Sequence, residues 1–236
     1  MSFNHHAAVV LLALAPLSIG ALGLAARPQA APPPQNAHAG SISADEALKL
    51  LMEGNERFAS GHPRSRAGDV ARRGELAQSQ SPYAVIVCCS DSRVGPELVF
   101  DSGLGDLFVI RTAGEVFADP GYGSIEYAVD HLHTPLVVVV GHERCGAISA
   151  AVAGGDAPGH IASIVKALQP AVQASKGEKG DAIDNAVKEN VRELVSRLQT
   201  TGPILSEHVH DGKLKIVGAY YDLDTGKVEM LPAQKN

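Results

Sequence analysis

The sequence has no tryptophan among its 236 residues, and phenylalanine and tyrosine contribute only five each. Its core must therefore be built from Ala, Val, Leu and Ile. Cysteine is just as sparse, with Cys88, Cys89 and Cys145. An odd, scattered set of three excludes a disulfide framework, so these thiols need another use. Positive charge is not gathered into a stripe, and the formal net charge is −6. That balance argues for no nucleic acid as a partner. No G-x-G-x-x-G follows the first apolar strand, which removes the dinucleotide-binding fingerprint.

What is present begins with an apolar run, AAVVLLALAPLSIGALGLAA, at residues 7–26. Its length, about 20 residues, is enough to cross a bilayer. The Pro/Ala-rich stretch after it ends in Ala37-His38-Ala39, the A-x-A pattern of a signal peptidase site. Pro16 and two glycines inside the run favour a cleaved signal peptide. The expectation is that residues 1–39 are signal peptide and linker, and that the protein is periplasmic or secreted. The alternative is an uncleaved membrane anchor holding the folded part outside the cytoplasm. Residues 40–236 are long enough for one domain with a sizeable core, and they show no internal repeat.

Periodicity within that domain alternates. Ser43 with Glu46 three residues on predicts a capping box, opening a helix to about Phe58 with Ala47, Leu50, Leu51 and Phe58 on one side. Residues 60–81 are polar and read as solvated helix and loops. YAVIVCC (83–89), DLFVIRTAG (106–114) and PLVVVVGH (135–142) read as buried strands. GSIEYAVDHLH (123–133), CGAISAAVAG (145–154) and residues 181–200 read as helices. The chain closes as a strand, an Asp-Thr-Gly turn and a second strand. Continuous apolar strands alternating with helices predict an α/β fold, a single domain with a mostly parallel central sheet of four to five strands flanked by helices.

His142 and Cys145 sit at the end of one such strand, and Cys89 at the end of another. Parallel neighbours present their carboxyl ends on one edge, where open α/β sheets bind ligands. Cys89, His142 and Cys145 can thus converge, and two thiolates with one imidazole make a donor set suited to zinc. Three protein ligands leave a fourth position for water. Asp91, two residues past Cys89, is the candidate fourth ligand of a closed state. Arg93 can pair with Asp91 and keep it ionised and turned away from the metal. His131, His133, His160, His208 and His210 read as surface residues. Cys88 should point to the opposite face from Cys89 and read as a small buried apolar side chain.

CSDSR (89–93) and GHERCG (141–146), in that order, resemble the two signature stretches of the β-class carbonic anhydrases. EALKLLMEGNERFASG (46–61), SIEYAV (124–129) and GKLKIVGAYYDLDTGKV (212–228) resemble other parts of that family. The resemblance implies zinc ligation by Cys89, His142 and Cys145, one Zn2+ per subunit, and a catalytic dyad of Asp91 and Arg93. It implies hydration of carbon dioxide to bicarbonate by zinc-bound hydroxide. Similarity to the plant-like subclass implies a substrate pocket of Gln80, Phe108, Tyr127 and Gly146. That pocket would be completed across a subunit interface in a homodimer or tetramer. Where a second subclass has a tryptophan of a regulatory bicarbonate site, this chain has Ile86, although Arg111 matches another part of that site. Arg111-Thr112-Ala113-Gly114-Glu115 departs from the Arg-Asn-x-Ala-Asn of many members. Two alternatives remain: hydrolysis of carbonyl sulfide or carbon disulfide on the same scaffold, and a zinc-stabilised binding module without turnover.

Overall fold

The computed structural model describes residues 42–64 and 70–232. The expected signal peptide and linker, 1–39, lie outside the described residues. Five strands form one sheet: β1 (Ala84–Cys89), β2 (Leu107–Thr112), β3 (Leu136–His142), β4 (Lys215–Tyr221) and β5 (Val228–Met230). Their order is β2-β1-β3-β4-β5, and only β5 runs antiparallel to its neighbour. This is the α/β architecture expected. The chain leaves β1 for β2 on one side, then returns to place β3 on the other. The carboxyl ends of β1 and β3 therefore flank the point where the winding reverses, which is where such sheets open a crevice.

β1 and β3 are buried along their whole length. Alternation divides their side chains between two layers. Ala84, Ile86, Cys88, Val138 and Val140 pack with Ala47 and Leu51 of α1 (Ala44–Ala59) on one face. Val85, Val87, Val137 and Val139 pack on the other with Ile125 and Val129 of α4 (Asp119–Asp130) and Val191 and Leu198 of α7 (Ala182–Thr200). Between these lie α2 (Val70–Leu76), α3 (Pro96–Val99), α5 (Gly146–Ala153) and α6 (Ile161–Ala174); α8 (Ile204–His210) follows α7. Aliphatic side chains thus fill both layers, as a tryptophan-free composition requires. β2 is the second strand expected, but it is less buried than β1 and β3. It is the sheet edge, and Leu107, Phe108, Val109 and Ile110 are each half-buried.

Local chemistry explains the element boundaries. The Ser43–Glu46 capping box forms in both directions, with the Ser43 hydroxyl accepting from the Glu46 N–H and the Glu46 carboxylate from the Ser43 N–H. α4 starts four residues earlier than the apolar pattern suggests, because Pro120 occupies its first turn, where a missing N–H costs nothing. α2 buries no side chain, in keeping with a solvated segment. α7 can lie close on the sheet because position 141 is glycine: a Cβ there would fall 2.6 Å from Val187 Cγ1 and 2.7 Å from Val191 Cγ2.

One polar side chain ties the α1 face together. Asn55 is buried in α1; its Nδ2 donates to the Val99 carbonyl (3.1 Å) and the Gly226 carbonyl (2.8 Å), while its Oδ1 accepts from the Val228 N–H (2.8 Å). It thereby joins the first helix to the end of α3 and to the last hairpin. Each buried backbone group left without a partner costs about 1–3 kcal/mol. Asn55→Ala should therefore lower the unfolding free energy by about 2–4 kcal/mol, read as a fall in the urea midpoint at unchanged slope.

Candidate metal centre

At the crevice, the Sγ atoms of Cys89 and Cys145 and an imidazole nitrogen of His142 lie within 4.8 Å of one another. Three different local structures deliver them. Cys89 is the last residue of β1 and His142 the last of β3. Cys145 is the N-cap residue of α5, reached by a tight turn in which Arg144 adopts φ 51°. All three side chains are buried. Among the described residues, this is the one cluster of its kind. His131, His133, His160 and His210 are exposed, and the half-buried His208 pairs through Nδ1 with the Ile204 carbonyl.

The donor atoms fit a metal. His142 Nδ1 lies 2.9 Å from the Glu143 carbonyl, which sets it as the N–H side of the ring. That leaves Nε2 with its lone pair free, fully buried and without a hydrogen-bond partner. Native structures rarely leave a buried nitrogen in that state, and a cation between it and two sulfurs removes the anomaly. The Cys89 thiol is pulled well down from its usual value, chiefly by hydrogen bonding with Cys145 and further by the Gly114 and Asp91 N–H groups, against the opposing effect of burial. Cys145 is pushed up by sharing that proton and by burial. Soft sulfur with imidazole matches zinc better than magnesium or calcium.

Asp91 and Arg93 stand at the mouth. Arg93 grips the carboxylate with two side-chain bonds, Nε to Oδ1 at 2.9 Å and Nη2 to Oδ2 at 2.8 Å, and adds its backbone N–H at 3.0 Å. These bonds hold the Asp91 carboxyl well below the usual carboxylate range, although partial burial opposes them. Asp91 Oδ2 is still only 3.9 Å from His142 Nε2. The carboxylate therefore borders the donor cluster while committed to arginine. Arg111, from the neighbouring strand, fixes the backbone beneath: its Nε donates to the Cys89 carbonyl (2.9 Å) and its Nη2 to the Asp91 carbonyl (2.7 Å).

The remaining residues singled out in the sequence divide. Gly146 is the first residue of α5, next to Cys145. Phe108 and Tyr127 are near each other, with ring centroids 6.4 Å apart. Gln80 and Tyr127 line an open cleft of about 720 Å³ together with Arg73, Leu76, Leu104 and Leu132. None of the three metal donors lines that cleft. Cys88, on the opposite face, is packed against the α1 layer, and burial pushes its thiol up to about 12. Sequence reasoning missed Asn190 and Glu115, which lie behind the site. Glu115 is a buried carboxylate in the departing Arg111–Glu115 stretch, and only that departure drew attention to the segment.

The loop that carries His142 and Cys145 is braced from the far end of the chain. The Glu143 N–H donates to the Tyr221 carbonyl, and Glu143 Oε2 accepts from the Leu223 N–H. Arg144 forms a two-pronged pair with Asp224 at 2.9 and 2.7 Å. The Asp-Thr-Gly turn expected there does form, with Asp222 Oδ1 accepting from the Asp224 and Thr225 N–H groups.

The carbonic anhydrase family model matches residues 84–228, which contain every donor described above. Carbonic anhydrase 2 of Mycobacterium tuberculosis (strain H37Rv) is 44% identical over 185 residues, covering 77% of this chain and 89% of that protein. The carbonic anhydrase of Mycolicibacterium smegmatis is 40% identical over 188 residues, covering 78% and 91%. Among solved structures, the Coccomyxa β-carbonic anhydrase in complex with acetazolamide superposes with a TM-score of 0.64 at 29% identity, covering 78% of this chain and 86% of that one. By its sequence and by its fold, the chain belongs to the β-carbonic anhydrase family.

Proposed function

We propose that the protein is a zinc-dependent carbonic anhydrase that converts carbon dioxide and water reversibly to bicarbonate and a proton. One observation carries the reading: two thiols and a partnerless buried imidazole nitrogen meet beside a carboxylate locked by arginine. Cys89, His142 and Cys145 would hold the ion, and zinc bound there would act as a Lewis acid that lowers the pKa of water from about 16 to about 7. Asp91, kept ionised by Arg93, accepts a hydrogen bond from the attacking water and orients it. A structural zinc site needs no such dyad, which weighs against a module without turnover. Were Arg93 to release it, the same carboxylate, 3.9 Å from His142 Nε2, would be the side chain placed to join the three donors in holding the ion.

Carbon dioxide is small and apolar, so it needs a narrow, dry recess more than charged contacts. Phe108, Tyr127 and Gly146 supply apolar wall, and Gln80 donates to the oxygen that gains charge during attack. Gln80 and Tyr127 line a cleft apart from the donors within one chain, so the recess is completed by a second subunit in a homodimer or tetramer. The half-buried apolar edge of β2 and the exposed Leu104 and Tyr127 support that assembly. The commitment of Arg111 to two backbone carbonyls, together with Ile86 at the other position, argues against a regulatory bicarbonate site. The apolar segment and A-x-A pattern ahead of the domain support export to the periplasm or beyond.

Stopped-flow carbon dioxide hydration, with metal analysis of the same purified sample, tests the proposal. One zinc per chain with hydration far above buffer is expected; stoichiometric zinc without hydration would overturn it. Cys89→Ser should lose most of the metal and the activity together, while circular dichroism stays that of a folded protein. Arg93→Ala should keep the metal but lower kcat by about 10²-fold or more. Full turnover in that variant would remove the role given to the dyad.

A further inference from the structure

Behind the metal donors lies a turn that the proposed reaction does not use. Ala113–Glu115 follows β2 as a single 3-10 turn, with both Gly114 (φ 64°) and Glu115 (φ 56°) in the left-handed region. Glu115 is 4% exposed, and its Oε1 has no hydrogen-bond partner. A carboxyl in the interior and a non-glycine residue at positive φ both cost free energy. They persist only where the surroundings over-determine them. Here the surroundings come from three helices. A Cβ on Gly114 would fall 2.9 Å from Leu168 Cδ1 of α6 and 3.1 Å from Ala147 Cβ of α5, so the turn is boxed in from behind. From α7, Asn190 Nδ2 donates both to the Gly114 carbonyl (3.2 Å) and to Glu115 Oε2 (3.1 Å). The turn held in this way aims one group at the metal cluster: the Gly114 N–H, 3.3 Å from Cys89 Sγ.

We propose that Asn190 and Glu115 are positioning residues for the metal centre, clamping the turn so that the Gly114 N–H donates to Cys89 Sγ and limits the charge this sulfur passes to a bound divalent metal. The proposal deepens the zinc reading and rests on it. A thiolate that accepts an N–H bond is a weaker donor, so the ion it holds stays more electrophilic. That counters the main handicap of a site with two thiolates. Burial raises the Glu115 carboxyl well above its ordinary value, and the nearby Cys89 adds to this. Outer partners of this kind are worth 10–100-fold in metal affinity or activity.

Cobalt(II) in place of zinc reads the sulfur directly, through the thiolate-to-metal charge-transfer band of the purified full-length protein. Asn190→Ala should move that band to longer wavelength, because a sulfur without the N–H bond gives up its charge more readily. Glu115→Gln keeps an oxygen acceptor for Asn190 and should leave the band at the wild-type position. Glu115→Gly removes one arm of the clamp together with the left-handed strain. It should move the band in the same direction as Asn190→Ala, and it decides the matter if that variant does not fold. A wild-type band in the folded clamp variants overturns the proposal even if affinity falls, because loss of mere structural support would do that much. So does a shift in Glu115→Gln as large as that in Asn190→Ala. Absence of any thiolate band in the wild type sinks the metal reading and this inference with it. An intact band without hydration sinks only the assignment of the reaction.

Discussion

Everything at the metal centre depends on two parallel strands ending side by side. β1 and β3 are hydrogen-bonded neighbours, with Cys88 opposite Val140, so Cys89 and His142 emerge on the same sheet edge although far apart in sequence. The period of two makes this arrangement unforgiving. A one-residue slip of β1 would turn Cys89 into the α1 layer and bring Cys88 to the crevice in its place. Both faces are filled with aliphatic side chains, and this burial fixes the register. The apolar sheet is thus what sets the spacing of the donors. The loop residues around them supply charge and hydrogen bonds to a geometry already determined.

Around that geometry, polar groups are tied up so that few remain free. Arg93 engages both oxygens of Asp91, Arg111 occupies the two backbone carbonyls below, and the Glu143 carbonyl takes one side of His142. Among the donor atoms of the cluster itself, Nε2 of His142 is left without a partner, and the two sulfurs lie within 4.8 Å of it. In a low-dielectric pocket such leftovers are expensive until a cation satisfies them. Metal preference here follows as much from the partners already taken as from the ligands themselves.

Much of this was legible in the sequence. Valine-rich runs located β1 and β3, and the Ser43–Glu46 pair located the start of α1. The strand-end positions of Cys89 and His142 sufficed to bring them together once a parallel sheet was inferred. Other parts were not legible, for physical reasons. α6 contains Pro170 in its interior, where proline ordinarily breaks a helix, and α8 is only seven residues long. Asn55 and Asn190 look like solvated helix residues, because an amide side chain carries no sign of which backbone groups it will meet. Glu115 was visible only as a departure from a pattern; nothing in its neighbours announces a buried acid at positive φ. Gln80 and Tyr127 could be named from the family resemblance, but one chain does not bring them to the donor cluster.

The brace between the His142–Cys145 loop and the final hairpin bears on how the protein comes into being. Glu143 and Arg144 rest on Tyr221, Leu223 and Asp224, and Asn55 holds that same hairpin to the first helix. This hairpin therefore supports a loop that lies some eighty residues before it in the sequence, and the first helix leans on it as well. Because the His142–Cys145 loop leans on β4 and the turn after it, its geometry is complete only once β4 and β5 have joined the sheet, and a variant that unpairs those strands would disturb the donor cluster as well as that side of the sheet.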